Sequence, residues 1–119
     1  MATVNQVQKK IRMDQWSIVK FQLSFHCQLN NILISDLDLN CLTLLALTGE
    51  SVLGDFCKTA VNSKIATSQQ SVRNIVNKAE DKKLLTKKGR NKKKISLNIQ
   101  NIQTSGNILL DYKIVRIES

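Results

Sequence analysis

Apolar and polar residues alternate strictly from residue 19 to residue 30. The apolar members of this run are Val19, Phe21, Leu23, Phe25, Cys27 and Leu29. A period of two puts successive side chains on opposite faces of a strand, so the pattern predicts a long strand here. Residues 31–34 either extend the strand after a shift of phase or form a connector. His26, the only histidine, falls on the polar face, which favours a solvated or hydrogen-bonded imidazole over a metal ligand or catalytic base.

Helical spacing follows from Ser35 onward. Ser35 suits an N-cap, and Gly49 suits the end of a leucine-rich helix because glycine readily adopts the left-handed conformation. A second helix is predicted from about residue 52 or 55 to residue 63. Its predicted buried residues are Phe56, Ala60 and Cys57. Helices this short are not stable alone, so we expect them to pack together with the helix that follows.

The third predicted helix covers residues 68–82, with Thr67 or Ser68 as its cap. Its apolar residues follow the i, i+3, i+4, i+7 spacing of one buried stripe. They are Val72, Ile75, Val76 and Ala79. The other faces are polar and carry long side chains.

Strand patterns return after this helix. Leu84 and Leu85 begin a strand, and the segment 87–94 predicts a hairpin with its turn at Gly89. A further strand is predicted over 108–117, after a turn at residues 105–107. This last strand is apolar on both faces, so we expect it to be covered on both sides and to pair with the N-terminal strand.

Residues 1–14 form a basic polar arm with no sustained period, which we expect to become ordered only against a partner. Residues 15–119 are predicted to form a single domain. No segment is apolar for long enough to span a bilayer, and the N-terminus lacks a secretory signal, so we predict a cytoplasmic protein without membrane contact.

Positive charge is concentrated in one segment. The chain carries 18 Lys and Arg against 9 Asp and Glu, a net charge of +9. Residues 78–94 hold nine basic and two acidic residues, which accounts for +7 of that total. Such a cluster favours a polyanionic partner, although a lysine run also occurs as a solvated loop. The 14 Lys, 12 Ile and 11 Asn have A/T-rich codons, which indicates a bacterium, phage or plasmid of low GC content.

Candidate catalytic and metal chemistry is sparse. The three cysteines are far apart, there is one histidine, and no phosphate-binding or nucleophile motif occurs. We therefore predict a protein that is not an enzyme and that uses no metal, cofactor or small-molecule substrate.

The segment from Ser68 to Leu85, together with the basic turn that follows it, resembles the recognition helix and wing of bacterial winged-helix regulators. Small phage and plasmid proteins share this unit. The resemblance covers about residues 36–98 and implies an α+β winged helix-turn-helix fold, with three helices, a basic hairpin wing and additional N- and C-terminal strands. Lys83 stands where such families often carry glycine, which puts the angle of the wing in question.

The resemblance also implies a DNA-binding surface on double-stranded DNA. The recognition helix would enter the major groove, and the wing would lie along phosphates or in a minor groove. The implied contact residues are Ser68, Gln69, Gln70, Arg73, Asn74, Asn77, Lys78, Lys88, Arg90, Lys92 and Lys93. Gln69, Gln70 and Asn74 would pair with adenine. Arg73 would pair with guanine or phosphate, and Asn77 and Lys78 would contact the DNA backbone.

Two classes of function remain open. The first is a DNA-binding transcriptional regulator or a replication initiator of a phage or plasmid. The second is a virion structural or assembly component that uses the same scaffold for protein contacts, since fold alone does not determine function. In either case the terminal strands offer surface for a homo-oligomer or a larger assembly.

Overall fold

The computed structural model of the chain describes residues 2–12 and 14–117. Within these ranges it contains four α-helices, five β-strands and one 3₁₀ turn. The helices are α1 (Gln15–Leu29), α2 (Asp36–Thr48), α3 (Leu53–Asn62) and α4 (Gln69–Asp81). The strands are β1 (Ala2–Arg12), β2 (Ser51–Val52), β3 (Leu85–Lys88), β4 (Lys94–Leu97) and β5 (Asn107–Ile117), and the 3₁₀ turn is Arg90–Lys92.

The predicted α+β class is confirmed. Strands β2, β4 and β3 form a small antiparallel sheet in that order, with β4 in the centre. Ile95 of β4 is fully buried and packs into the same core as the buried faces of all four helices. A separate antiparallel pair joins β1 to β5.

The strand predicted over residues 19–30 is wrong, because this segment belongs to α1. Val19, Leu23 and Cys27 are buried, and their spacing of four residues satisfies the period of a helix as well as the period of two. Asp14 begins the helix: its carboxylate accepts a hydrogen bond from the Ser17 backbone N–H at 2.7 Å. A hydrogen bond from the Ser17 backbone N–H and a weaker effect of a hydrogen bond from the Ser17 hydroxyl hold the pKa of Asp14 below its ordinary value. Residues 31–34 form a connector.

The prediction that the N-terminal arm gains order only from a partner is also wrong for the residues described, since Ala2–Arg12 is a strand. It pairs along its whole length with β5, from Ala2 opposite Ile117 to Arg12 opposite Asn107. The terminal strands therefore pair as expected, but the N-terminal partner is Ala2–Arg12 and not the segment 19–30. The expected covering of β5 does not hold within one chain, because Leu109 and Ile117 are 73% and 80% exposed.

The other predicted elements agree with the structure. Ser35 and Ser68 cap α2 and α4, and Gly49 follows α2 with φ +81°. Phe56, Cys57 and Ala60 are buried on α3 as predicted. Lys83 follows α4 at the position where winged-helix families often carry glycine, and it adopts the left-handed conformation itself, with φ +62°. Its N–H donates to the Glu80 carbonyl and the next N–H to the Ala79 carbonyl, so the helix ends as it would with glycine.

The segment between β4 and β5 is fastened to α1 by one side chain. The amide of Gln22 donates from Nε2 to the Gln103 carbonyl at 2.7 Å, and its Oε1 accepts from the Gln103 N–H at 2.9 Å. Gln22 thus satisfies both backbone groups of a residue 81 positions away.

Candidate nucleic-acid interface

Helix α4 buries one stripe and leaves the rest of its surface open. Its cap is the Ser68 hydroxyl, which accepts from the Ser71 N–H at 3.1 Å. Val72, Ile75, Val76 and Ala79, the four residues predicted from helical spacing, are all buried. Burial of this stripe holds α4 against the core and keeps its polar faces pointing outward.

The polar residues predicted to read bases lie on the outer surface of α4. Gln69, Gln70 and Asn74 are exposed, as is the cap Ser68. Nε2 of Gln70 donates to Oδ1 of Asn74 at 3.0 Å, a pairing that the i, i+4 spacing allows. This bond leaves Gln70 Oε1 as a free acceptor and the Asn74 amide nitrogen as a free donor, side by side on one turn.

Arg73 on α4 is half-buried. Burial raises the pKa of the Cys57 thiol on α3, and the positive charge of Arg73 lowers it in part. The guanidinium therefore lies close to α3. Arg73 has no ion pair among the described residues, so it keeps its donors for another acceptor.

Three more of the predicted contact residues have partners within the chain. Lys78 reaches Oδ2 of Asp38 on α2 at 3.3 Å, and that carboxylate is only 10% exposed. Lys88 pairs with Glu50 at 3.1 Å. Asn77 accepts a hydrogen bond from Lys87 Nζ through Oδ1. These ties join α4 and the hairpin to the body, and the phosphate contacts predicted for these residues remain predictions.

Lys87 fixes the hairpin to α4. Besides Asn77, its ammonium group lies 3.6 Å from Glu80, and its side chain is only 15% exposed. Both partners lie in the C-terminal half of α4, so the base of β3 is held beside that half. The sequence predicted Lys87 only as part of the basic hairpin 87–94, because nothing in a run of lysines distinguishes the member that turns inward.

The tip of the hairpin is cationic and exposed. Gly89 turns the chain with φ +84°, and the 3₁₀ turn follows. Arg90, Lys92 and Lys93 are exposed, and none of them forms an ion pair within the described part of the chain. The structure thus places a polar helix face and a basic tip on consecutive elements, both open to solvent.

All three cysteines are buried, and burial raises the pKa of each thiol. Burial, with smaller effects from Asp38 and Cys57, raises the pKa of Cys41 to about 11. Among residues 2–12 and 14–117, no cluster of three His, Cys, Asp or Glu residues could hold a metal ion. No helix of the described chain is long and apolar enough to cross a membrane.

No protein-family model, no curated protein and no solved structure matches the chain.

Proposed function

We propose that this chain is a DNA-binding protein of winged helix-turn-helix type, acting as a transcriptional regulator or a replication initiator. In this proposal α3 and α4 are the helix-turn-helix, and β3 and β4 with their turn are the wing. One observation carries it: the outer face of α4 is uncovered and lies next to a basic hairpin that Lys87 holds against the same helix.

The Gln70–Asn74 pair is the proposed base-reading element. Gln70 Oε1 would accept from adenine N6, and the Asn74 amide would donate to adenine N7. Because the two side chains already bond to each other, less side-chain freedom is lost on binding than for two separate amides. Arg73, half-buried beside α3, would bond to guanine or to a phosphate.

The hairpin tip supplies the proposed phosphate contacts. Arg90, Lys92 and Lys93 would displace counterions from the DNA backbone, together with Lys88 and Lys78 if these exchange their carboxylate partners for phosphates. Five neutralised phosphates predict that log affinity falls against log salt concentration with a slope of about −5.

Selection of bound duplexes from a random pool at physiological salt tests the proposal. We expect an enriched motif that contains adenine. On the selected site, Gln70→Ala and Asn74→Ala should each weaken binding by about 1–3 kcal/mol, with little change on random DNA. Gln100→Ala, which removes an exposed amide from the segment after β4, is the matched control and should bind normally. Binding without any enriched motif, or equal losses on both DNAs, would show that α4 reads no bases.

A second candidate is a virion structural or assembly component. The observation that favours it is the long β1–β5 pair, in which several apolar side chains of β5 are exposed in the single chain. This reading predicts no enriched motif and stable incorporation into a larger particle.

A further inference from the structure

The β1–β5 pair, residues 2–12 and 107–117, forms an arm that is separate from the three-stranded sheet. It is a two-stranded sheet, and within the described residues neither outer edge is paired. Leu109, Tyr112, Ile114, Val115 and Ile117 are all between 47% and 80% exposed. Two-stranded ribbons are marginally stable in water unless another surface packs on them.

The arm extends away from the helical body. Eleven residues per strand span about 37 Å. The chain measures 57 × 32 × 25 Å, and its radius of gyration is 17.1 Å. A compact domain of this length would have a radius of gyration of about 13.5 Å. The excess length indicates that the arm does not fold back over its own body.

The body carries a second uncovered apolar surface, the body patch. It runs from the last turns of α1 through the connector to the first turn of α2. Its members are Phe25, Leu29, Leu33 and Leu37, which are 49%, 70%, 87% and 39% exposed. The ring of Phe25 stacks on the ring of Phe21, with 5.9 Å between the ring centroids, so this contact orients the Phe25 side chain at one edge of the patch.

We propose that two copies of this chain form a symmetric dimer in which the arm of each copy packs on the body patch of the other. A two-fold pairing covers both surfaces of both copies with one kind of contact. Leu109, Val115 and Ile117 share one face of β5, and together with the four patch residues their exposed fractions amount to about four and a half fully exposed large residues. At roughly 170 Å² each, this is about 750–800 Å² per copy, which matches a standard stable interface of about 800 Å² per partner. The dimer is independent of whether the chain binds DNA.

The test is a charge exchange between the two surfaces, measured by sedimentation equilibrium of the full chain. The arm variant is Val115→Lys with Ile117→Lys, two residues on the same face of β5, and the patch variant is Leu29→Glu with Leu33→Glu. All four sites are exposed, so thermal unfolding followed by circular dichroism should show folded protein in each case. Val52→Lys is the matched control, since Val52 is an exposed apolar residue (44%) outside both surfaces.

We expect the unchanged chain and the Val52→Lys control to be dimers, and each charged variant alone to be a monomer. An equal mixture of the two variants should form dimers again, because one contact is unchanged and the other pairs lysines with glutamates. The proposal would be overturned if the unchanged chain were still a monomer at a concentration 100-fold above that used in the DNA-binding experiments. A patch variant that stays dimeric while the arm variant does not, with no recovery on mixing, would also overturn it, because arms would then pair with arms.

Discussion

Removal of the Lys87 ammonium group tests whether the hairpin is held to α4 as described. Lys87→Met keeps the apolar stem of the side chain and deletes the charge, so lost packing contributes little. The change removes the hydrogen bond to Asn77 and the 3.6 Å contact with Glu80. The hairpin keeps its other supports, which are the buried Leu84, Leu85 and Ile95, the pairing of β4 with β2 and the Lys88–Glu50 ion pair.

The expected magnitude follows from the exposure of the partners. A hydrogen bond from a charged donor contributes about 1.5–3 kcal/mol when buried, and an exposed ion pair contributes about 0.2–1 kcal/mol. Asn77 is exposed and the Glu80 side chain is 38% exposed, so the low ends apply. We expect Lys87→Met to lower the free energy of unfolding by about 1–2 kcal/mol, which is a fall of about 0.5–1 M in the urea midpoint.

Urea unfolding of a double-mutant cycle is the decisive measurement. Asn77→Ala combined with Lys87→Met should give a coupling energy of about 1 kcal/mol. Lys92→Met removes an exposed charge from the same hairpin and should change stability by less than about 0.5 kcal/mol. If Lys87→Met behaved like Lys92→Met, or if the coupling energy vanished, Lys87 would not fix the hairpin and the proposed DNA surface would lose its support.

Three further changes test other parts of the structure. Gly49→Ala should cost about 1–3 kcal/mol in urea unfolding because only glycine tolerates φ +81° with ψ −168°, whereas Gly54→Ala within α3 should stabilise by up to about 1 kcal/mol. The contribution of Cys41 to stability should be constant below about pH 9 and fall between about pH 9 and 11, because the unfolded Cys41 thiol releases its proton before the folded one. Cys41→Ala should flatten this fall relative to the unchanged chain. Gln22→Leu removes both hydrogen bonds to Gln103, including the acceptor of its N–H, so the Gln103 amide should exchange hydrogen faster; unchanged exchange would show that α1 does not hold this segment.

Local signals predicted the middle of the fold well. The caps at Ser35 and Ser68, the glycine at 49 and the stripe on α4 each depend on residues within a turn or two of one another. Such signals survive in the folded chain because tertiary packing uses the same apolar faces. The polar face of α4 was predictable for the same reason, since it is the complement of the buried stripe.

The errors arose where two periods coincide or where contacts are distant in sequence. Val19, Leu23 and Cys27 fit a strand and a helix equally, and the signal that decides between them is the Asp14 cap, which lies outside the alternating run. The strand at residues 2–12 has its partner more than 90 residues away, so no local pattern reveals it. The inward turn of Lys87 likewise depends on where α4 lies after folding.

The register of the arm also constrains the order of folding. Pairing of Ala2 with Ile117 closes a loop that contains nearly the whole chain, and such closure is entropically costly until the intervening residues are compact. The helices and the small sheet, by contrast, join residues that lie closer together in sequence. We therefore expect the ribbon to form last and to open first, and pulse-labelled amide exchange during refolding should show protection in α4 before it appears in β5.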